Sequence, residues 1–168
     1  MRTAALAALL LAGACSPRRE PPREERSEAV EGLTLSQSQD GKPAWTLRSR
    51  LAILREEDHA ADLDAPVMEF YRDGKAVSRV TARKGAVDTA TRDVKLSSSV
   101  ELDSFDDRSR LTTDELLYTA KTGRFHTDAP VVVTRPGGVM RGQGLDASPD
   151  LTEIRVYHQR SVLTGPAR

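Results

Sequence analysis

The chain has 168 residues, enough for one domain and a leader, and its 25 basic and 25 acidic residues leave no formal net charge. Aromatics are only 4% and charged residues 30%, thin material for a large core and suited to a slender or flattened sheet. The balanced charge excludes a nucleic-acid binder, which carries a basic excess or patch.

Arg2 followed by the apolar run Ala4 to Ala12 reads as an export signal too short to span a bilayer. It ends in Leu11-Ala12-Gly13-Ala14-Cys15, which resembles the lipobox of bacterial lipoproteins, although Ala12 stands where that motif usually has leucine. Residues 1–14 are therefore expected to be a signal peptide, with Cys15 acylated and anchoring the chain to a membrane. A plain secretory signal is the alternative. Cys15 is the only cysteine, so no internal disulfide can form. Residues 15–31 contain Arg18, Arg19, Glu20, Pro21, Pro22, Arg23, Glu24, Glu25 and Arg26 and almost nothing apolar, which predicts a disordered tether.

From residue 32 to 168 a single β domain is expected. Leu33 to Gln37 alternates, Asp40-Gly41 is a hairpin turn signal, and Ala44 to Leu54 reads as strand. Glu56 to His59 is a loop, Leu63 to Tyr71 a strand, and Asp73-Gly74 the next turn. Strand segments follow at Val77–Ala82, Gly85–Asp88, Val94–Leu96, Val100–Leu102, Leu111–Thr113, Leu116–Tyr118, Gly123–Phe125, Val131–Thr134 and Ile154–Tyr157. Ala52 to Ala61 is the one stretch with weak helical character.

Catalytic constellations do not emerge. His59, His126 and His158 lack metal-ligand spacing and read as surface or loop residues. Asp103, Asp106 and Asp107 lack the order of a calcium loop and read as a solvated hairpin. Gly142-Gln143-Gly144 is not followed by a helix, so it is read as a bulge or close backbone approach rather than a phosphate cradle. No cofactor is expected, and the chain reads as a non-enzyme.

One pattern recurs four times. Leu47, Ser49 and Ala52; Val80, Ala82 and Gly85; Leu111, Thr113 and Leu116; Met140, Gly142 and Leu145 each place an apolar residue, a small residue two positions on, and a small or apolar residue three further on. The small positions are 33, 31 and 29 residues apart. Such a period with β composition suggests stacked pairs of strands and an extended binding surface. Leu47, Val80, Val87, Leu96, Val100, Leu102, Leu111, Leu116, Tyr118, Phe125, Val131 and Val133 fall on one face of their strands. Two readings stay open for them: an ordinary packed core, or the lining of a groove for acyl chains.

The order and spacing of Gly41-x-x-x-Trp45-x-Leu47, Met68-x-x-Tyr71-x-x-Gly74, Val80-x-Ala82-x-x-Gly85, Leu111 to Tyr118 and Gly142-x-Gly144-Leu145 resemble the LptC family of lipopolysaccharide-export proteins and its OstA-like β-repeats. The resemblance covers about Leu33 to Tyr157. It implies an all-β, twisted jellyroll, an open roll of antiparallel strands built from about four repeats. It further implies that the interior takes the lipid A acyl chains of lipopolysaccharide, received from an inner-membrane ABC transporter complex and passed to an LptA-like periplasmic bridge protein. Edge strands would make these contacts, with Ile154, Val156 and Tyr157 on the bridge side. The family usually has a transmembrane helix where this chain has Cys15. The implied location is the periplasmic side of the inner membrane, whereas Ser16 after the cysteine follows the enterobacterial pattern for the outer membrane. A lipoprotein with a closed core that only joins other β-proteins is the second reading.

Overall fold

The computed structural model of the chain describes residues 27–163. The expected signal peptide, Cys15 and the tether as far as residue 26 lie outside them. The strands are β1 (Ser27–Gln39), β2 (Lys42–Arg55), β3 (Ala60–Asp64), β4 (Val67–Arg72), β5 (Lys75–Thr81), β6 (Lys84–Asp88), β7 (Val94–Ser104), β8 (Arg110–Thr119), β9 (Arg124–Arg135), β10 (Gly138–Ala147), β11 (Ile154–Val156) and β12 (Arg160–Leu163). All pair antiparallel in one sheet. β1 begins inside the stretch read as a tether, because Ser27 to Glu31 pair with Leu51 to Arg55. Ala52 to Ala61 is not helical: it is the end of β2, a turn, and the start of β3. Its inward positions keep the two-residue period of a strand.

The topology is simpler than the strand count suggests. β3 and β4 both pair with β2, one with its second half and one with its first, so together they are one long strand with a corner at Ala65-Pro66. β5 and β6 likewise pair with opposite halves of β7, and β11 and β12 with opposite halves of β10. The chain is thus a meander of long strands, each bent near its middle. The bends align into a seam that folds the sheet into two facing layers.

The fourfold sequence pattern is this seam. Along β2 the inward residues are Trp45, Leu47 and Ser49, then Ala52 and Leu54. The step of three between Ser49 and Ala52 shifts the alternation by one residue, so that both halves face the same interior although the strand has turned. The same three-residue step separates Ala82 from Gly85, Thr113 from Leu116, and Gly142 from Leu145. Register shifts mark it between Thr113 and Leu117 and between Gln143 and Leu145.

Small residues are needed there for two reasons. First, the corner interrupts the ladder and leaves backbone groups to satisfy. The Ser49 hydroxyl lies 2.7 Å from the Leu51 carbonyl and 2.8 Å from the Asp64 carbonyl and accepts the Asp64 N–H at 3.1 Å. Thr113 donates to the Pro130 carbonyl at 3.0 Å. Second, the backbone crowds. A Cβ on Gly142 would stand 2.3 Å from Val156 Cγ1 and 2.5 Å from the Tyr157 carbonyl oxygen, and one on Gly85 3.0 Å from the Lys95 carbonyl oxygen. Strands running the other way turn differently, with left-handed backbone at Gly32, Ala65, Ser98 and Ser99. That is why the corners of β2, β5–β6, β8 and β10 alone are visible as a repeat.

Candidate functional site: the interior and its rim

All twelve predicted groove residues point into the space between the layers, and all are buried. Leu47, Val80, Val100, Leu102, Leu111, Val131 and Val133 belong to the first layer; Val87, Leu96, Leu116, Tyr118 and Phe125 belong to the second. The register joins them into transverse rows. In the first layer Leu35, Leu47, Met68, Val80, Leu102, Leu111, Val133 and Met140 stand opposite one another from strand to strand. In the second, Leu54, Ala61, Val87, Val94, Tyr118, Phe125, Ala147 and Ile154 do the same. Both rows are buried in the middle and half-buried at their ends, Leu35 and Met140, Leu54 and Ile154. Met68 and Val94 are members that the sequence reading did not count among the groove residues, although each alternates in phase with its neighbours.

Opposite the seam, the two layers meet along a rim. Its floor is aromatic: Tyr118 packs edge-on to Trp45 and Phe70, with ring centroids 6.1 and 5.1 Å away, and against Phe125 at 5.3 Å. Burial, with the Asp93 carboxylate adding to it, pushes the Tyr118 hydroxyl up to about 12, so the phenol stays neutral. Above the floor is a cleft of about 430 Å³ between Ala44, Tyr71 and Arg72 of the first layer and Thr122, Arg124 and the 148–153 turn of the second.

That turn links β10 to β11 and straps the rim. Leu151, with left-handed backbone (φ 59°), is fully buried in the core cluster. Beside it the Asp150 carboxylate, only 4% exposed, receives the Arg72 guanidinium from the end of β4. Asp150 also accepts from the Ser148 hydroxyl at 2.7 Å and the Thr152 hydroxyl at 2.8 Å. Arg135 at the end of β9 donates to the Leu151 carbonyl at 2.8 Å, and Arg124 pairs with Glu153 at 2.8 Å. The arginines did not stand out in the sequence, because Arg72, Arg124 and Arg135 find their partners far along the chain.

Charges elsewhere are paired across the outer faces. Glu69 bridges Arg48 and Arg79, and Asp64 bridges Arg50 and Lys84. The Arg79 hydrogen bond, helped by Tyr71 and Arg48, holds Glu69 below the usual carboxylate range. His126, read as a plain surface residue, lies between two carboxylates: its Nδ1 is 3.0 Å from Asp146 and its Nε2 3.4 Å from Asp128. The Asp146 hydrogen bond raises its pKa. Asp146 in turn accepts from the Tyr157 hydroxyl. Asp107 caps the 105–109 turn by accepting the Ser109 N–H at 2.9 Å, and among the described residues no cluster of ligands could hold a metal ion.

The sheet has two free margins. β1 pairs only with β2, and β11 and β12 pair only with β10. Of the predicted contact residues on the second margin, Ile154 and Val156 are half-buried and Tyr157 is 37% exposed. A family model described as lipopolysaccharide-assembly, LptC-related matches residues 4–163. No curated protein matches the chain.

Proposed function

We propose, from the premise that the chain belongs to the LptC-related lipopolysaccharide-assembly family, that this roll takes the acyl chains of lipid A between its two layers and hands them on. Membership carries a role in lipopolysaccharide transport at the periplasmic side of the envelope. The finer reading rests on one observation: two unbroken apolar rows run across eight strands each, one reaching the β1 margin at half-buried Leu35 and the other the β11 margin at half-buried Ile154, while at their other ends Met140 pairs with Ser161 and Leu54 with Glu28. A packed core needs no such continuity to its edges. Burial of acyl chains contributes about 0.8 kcal/mol per CH₂, so a few chains would supply ample affinity.

The margins are suited to β-augmentation, in which a partner's strand pairs with an open edge. The β1 margin would face the inner-membrane ABC transporter complex, and the β11–β12 margin, with Ile154, Val156 and Tyr157, the LptA-like bridge. Arg155, His158 and Arg160 blunt that margin when it is unpaired. The sequence has no nucleotide-binding motif, so energy for directional flow would come from the transporter. Cys15 would hold the domain to the membrane by lipid. Among the described residues no helix is long and apolar enough to cross one.

A closed-core scaffold is the second reading, favoured by the burial of all twelve inward residues. Photocrosslinking in cells separates the two. A reactive amino acid at Val100, Tyr118 or Val133 should yield a lipopolysaccharide adduct, and one at outward Glu101 should not. Adducts at none of the inward sites, with the protein folded, would leave the scaffold.

A further inference from the structure

The 148–153 strap is built like a ligand. It puts one apolar side chain, Leu151, into the interior and sets three acceptors on three arginines of the rim: Asp150 on Arg72, Glu153 on Arg124, and the Leu151 carbonyl on Arg135. An apolar tail beneath an anionic head is the pattern of an acidic amphiphile. Three further facts agree with it. Leu151 is held in left-handed backbone, which leucine adopts only under constraint from its surroundings. The Arg135 Nε is buried without a partner, a donor that the strap leaves unused. The cleft beside the strap has an aromatic floor and both Arg72 and Arg124 in its walls. Asp106 also approaches Arg72, at 3.7 Å, but both side chains there are more than half exposed, so that contact is weak.

We propose that the strap occupies the place of an anionic amphiphile, and that Arg72, Arg124 and Arg135 are the headgroup site which a phosphate-bearing lipid takes over when it displaces Leu151 and Asp150. This rests on the reading of the interior as an acyl-chain site. It adds a chemical class for the head and a route through the rim rather than through the sheet margins. Phosphate suits the site because arginine's fork matches its oxygens and three guanidiniums would meet its charge. No covalent step is involved. One set of ion pairs and one buried apolar group replace another.

The test uses the full chain, with hydrogen exchange read on the amides of residues 148–153 and the fluorescence of Trp45, the only tryptophan, which lines the cleft. Bis-phosphorylated lipid A should strip protection from the strap and shift the Trp45 emission. Dephosphorylated lipid A should bind about tenfold more weakly. Arg72→Gln/Arg124→Gln should bring that ratio close to one, while Asp150→Asn/Leu151→Ala should bind phosphorylated lipid A about tenfold more tightly. Unchanged strap protection at saturating lipid A in the unaltered chain overturns the proposal, whatever the variants do, and so does an undiminished ratio in the arginine variant. Displacement of the strap by inorganic phosphate alone also overturns it, since no tail would then be needed. An adduct at Val100 with the strap still protected would sink the strap and leave the interior reading standing. No adduct at any inward site would sink both.

Discussion

The seam and the rim close the same interior by different means. Along the seam the closure is backbone: every long strand passes through it, and small residues allow the chain to turn while Ser49 and Thr113 satisfy the carbonyls it exposes. Along the rim the closure is side chain: ring on ring, an arginine on a carboxylate, one leucine. Backbone closure cannot be undone without unfolding, whereas side-chain closure can be exchanged for other partners. On the proposal above, the rim is the side that would open and the seam the hinge that would not.

Four substitutions would break or sharpen that contrast. Gly142→Val should be the most damaging, at about 3 kcal/mol, because the new side chain collides with Val156 and the Tyr157 backbone and must push the last strands away. A urea midpoint close to that of the unaltered protein would show that β11 and β12 yield freely. Ser49→Ala should destabilise by about 2 kcal/mol, since the Leu51 and Asp64 carbonyls lose the one hydroxyl proton they share and the Asp64 N–H loses its acceptor at the corner. A loss under about 0.5 kcal/mol would remove the hydroxyl from the account of the seam.

At the rim, Asp150→Asn should change global stability by no more than about 1 kcal/mol, the amide keeping the Ser148 and Thr152 contacts while losing the ion pair to the half-exposed Arg72. Acrylamide quenching of Trp45 should rise. A loss as large as at Ser49 would erase the distinction between the two closures. The smallest effect belongs to His126. Its pKa is raised in the fold, so the stability it contributes is fully present below the unfolded value of 6.5 and is lost as pH rises through the folded one. Asp146 is held low, first by Tyr157 and then by His126, and remains ionised through that range. The pair is partly exposed, so the contribution is a few tenths of a kcal/mol. The Tm gap between the unaltered protein and His126→Gln should therefore narrow between about pH 5.5 and pH 9, and a gap that widens would reverse the assignment.

Seam and rim also differ in how far the sequence reveals them. The corners of β2, β5–β6, β8 and β10 are local events within six residues, so Leu47-x-Ser49-x-x-Ala52 and its three counterparts could be read directly. The corners at Ala65 and at Ser98-Ser99 could not, because their left-handed backbone falls on residues that carry no such signal in sequence. The twelve inward residues followed from simple alternation. Whether the space between them is closed could not follow, since alternation fixes the face of a side chain and not the distance to the layer opposite. The rim was invisible for a plainer reason: Arg72 and Asp150 are 78 residues apart, and neither is unusual where it stands.

The transverse rows set a length scale. Neighbouring strands lie about 4.8 Å apart, so eight residues in register extend over roughly 34 Å. The hydrocarbon core of a bilayer is about 30 Å thick. The two apolar rows are therefore of the same order as the hydrocarbon thickness that a lipid leaves behind. Each row reaches one margin on a half-buried apolar residue, Leu35 on β1 and Ile154 on β11, and is followed at its other end by a polar position, Ser161 or Glu28. On the proposed function, a partner strand paired in register at the β1 margin would lengthen the first row, and one at the β11 margin the second.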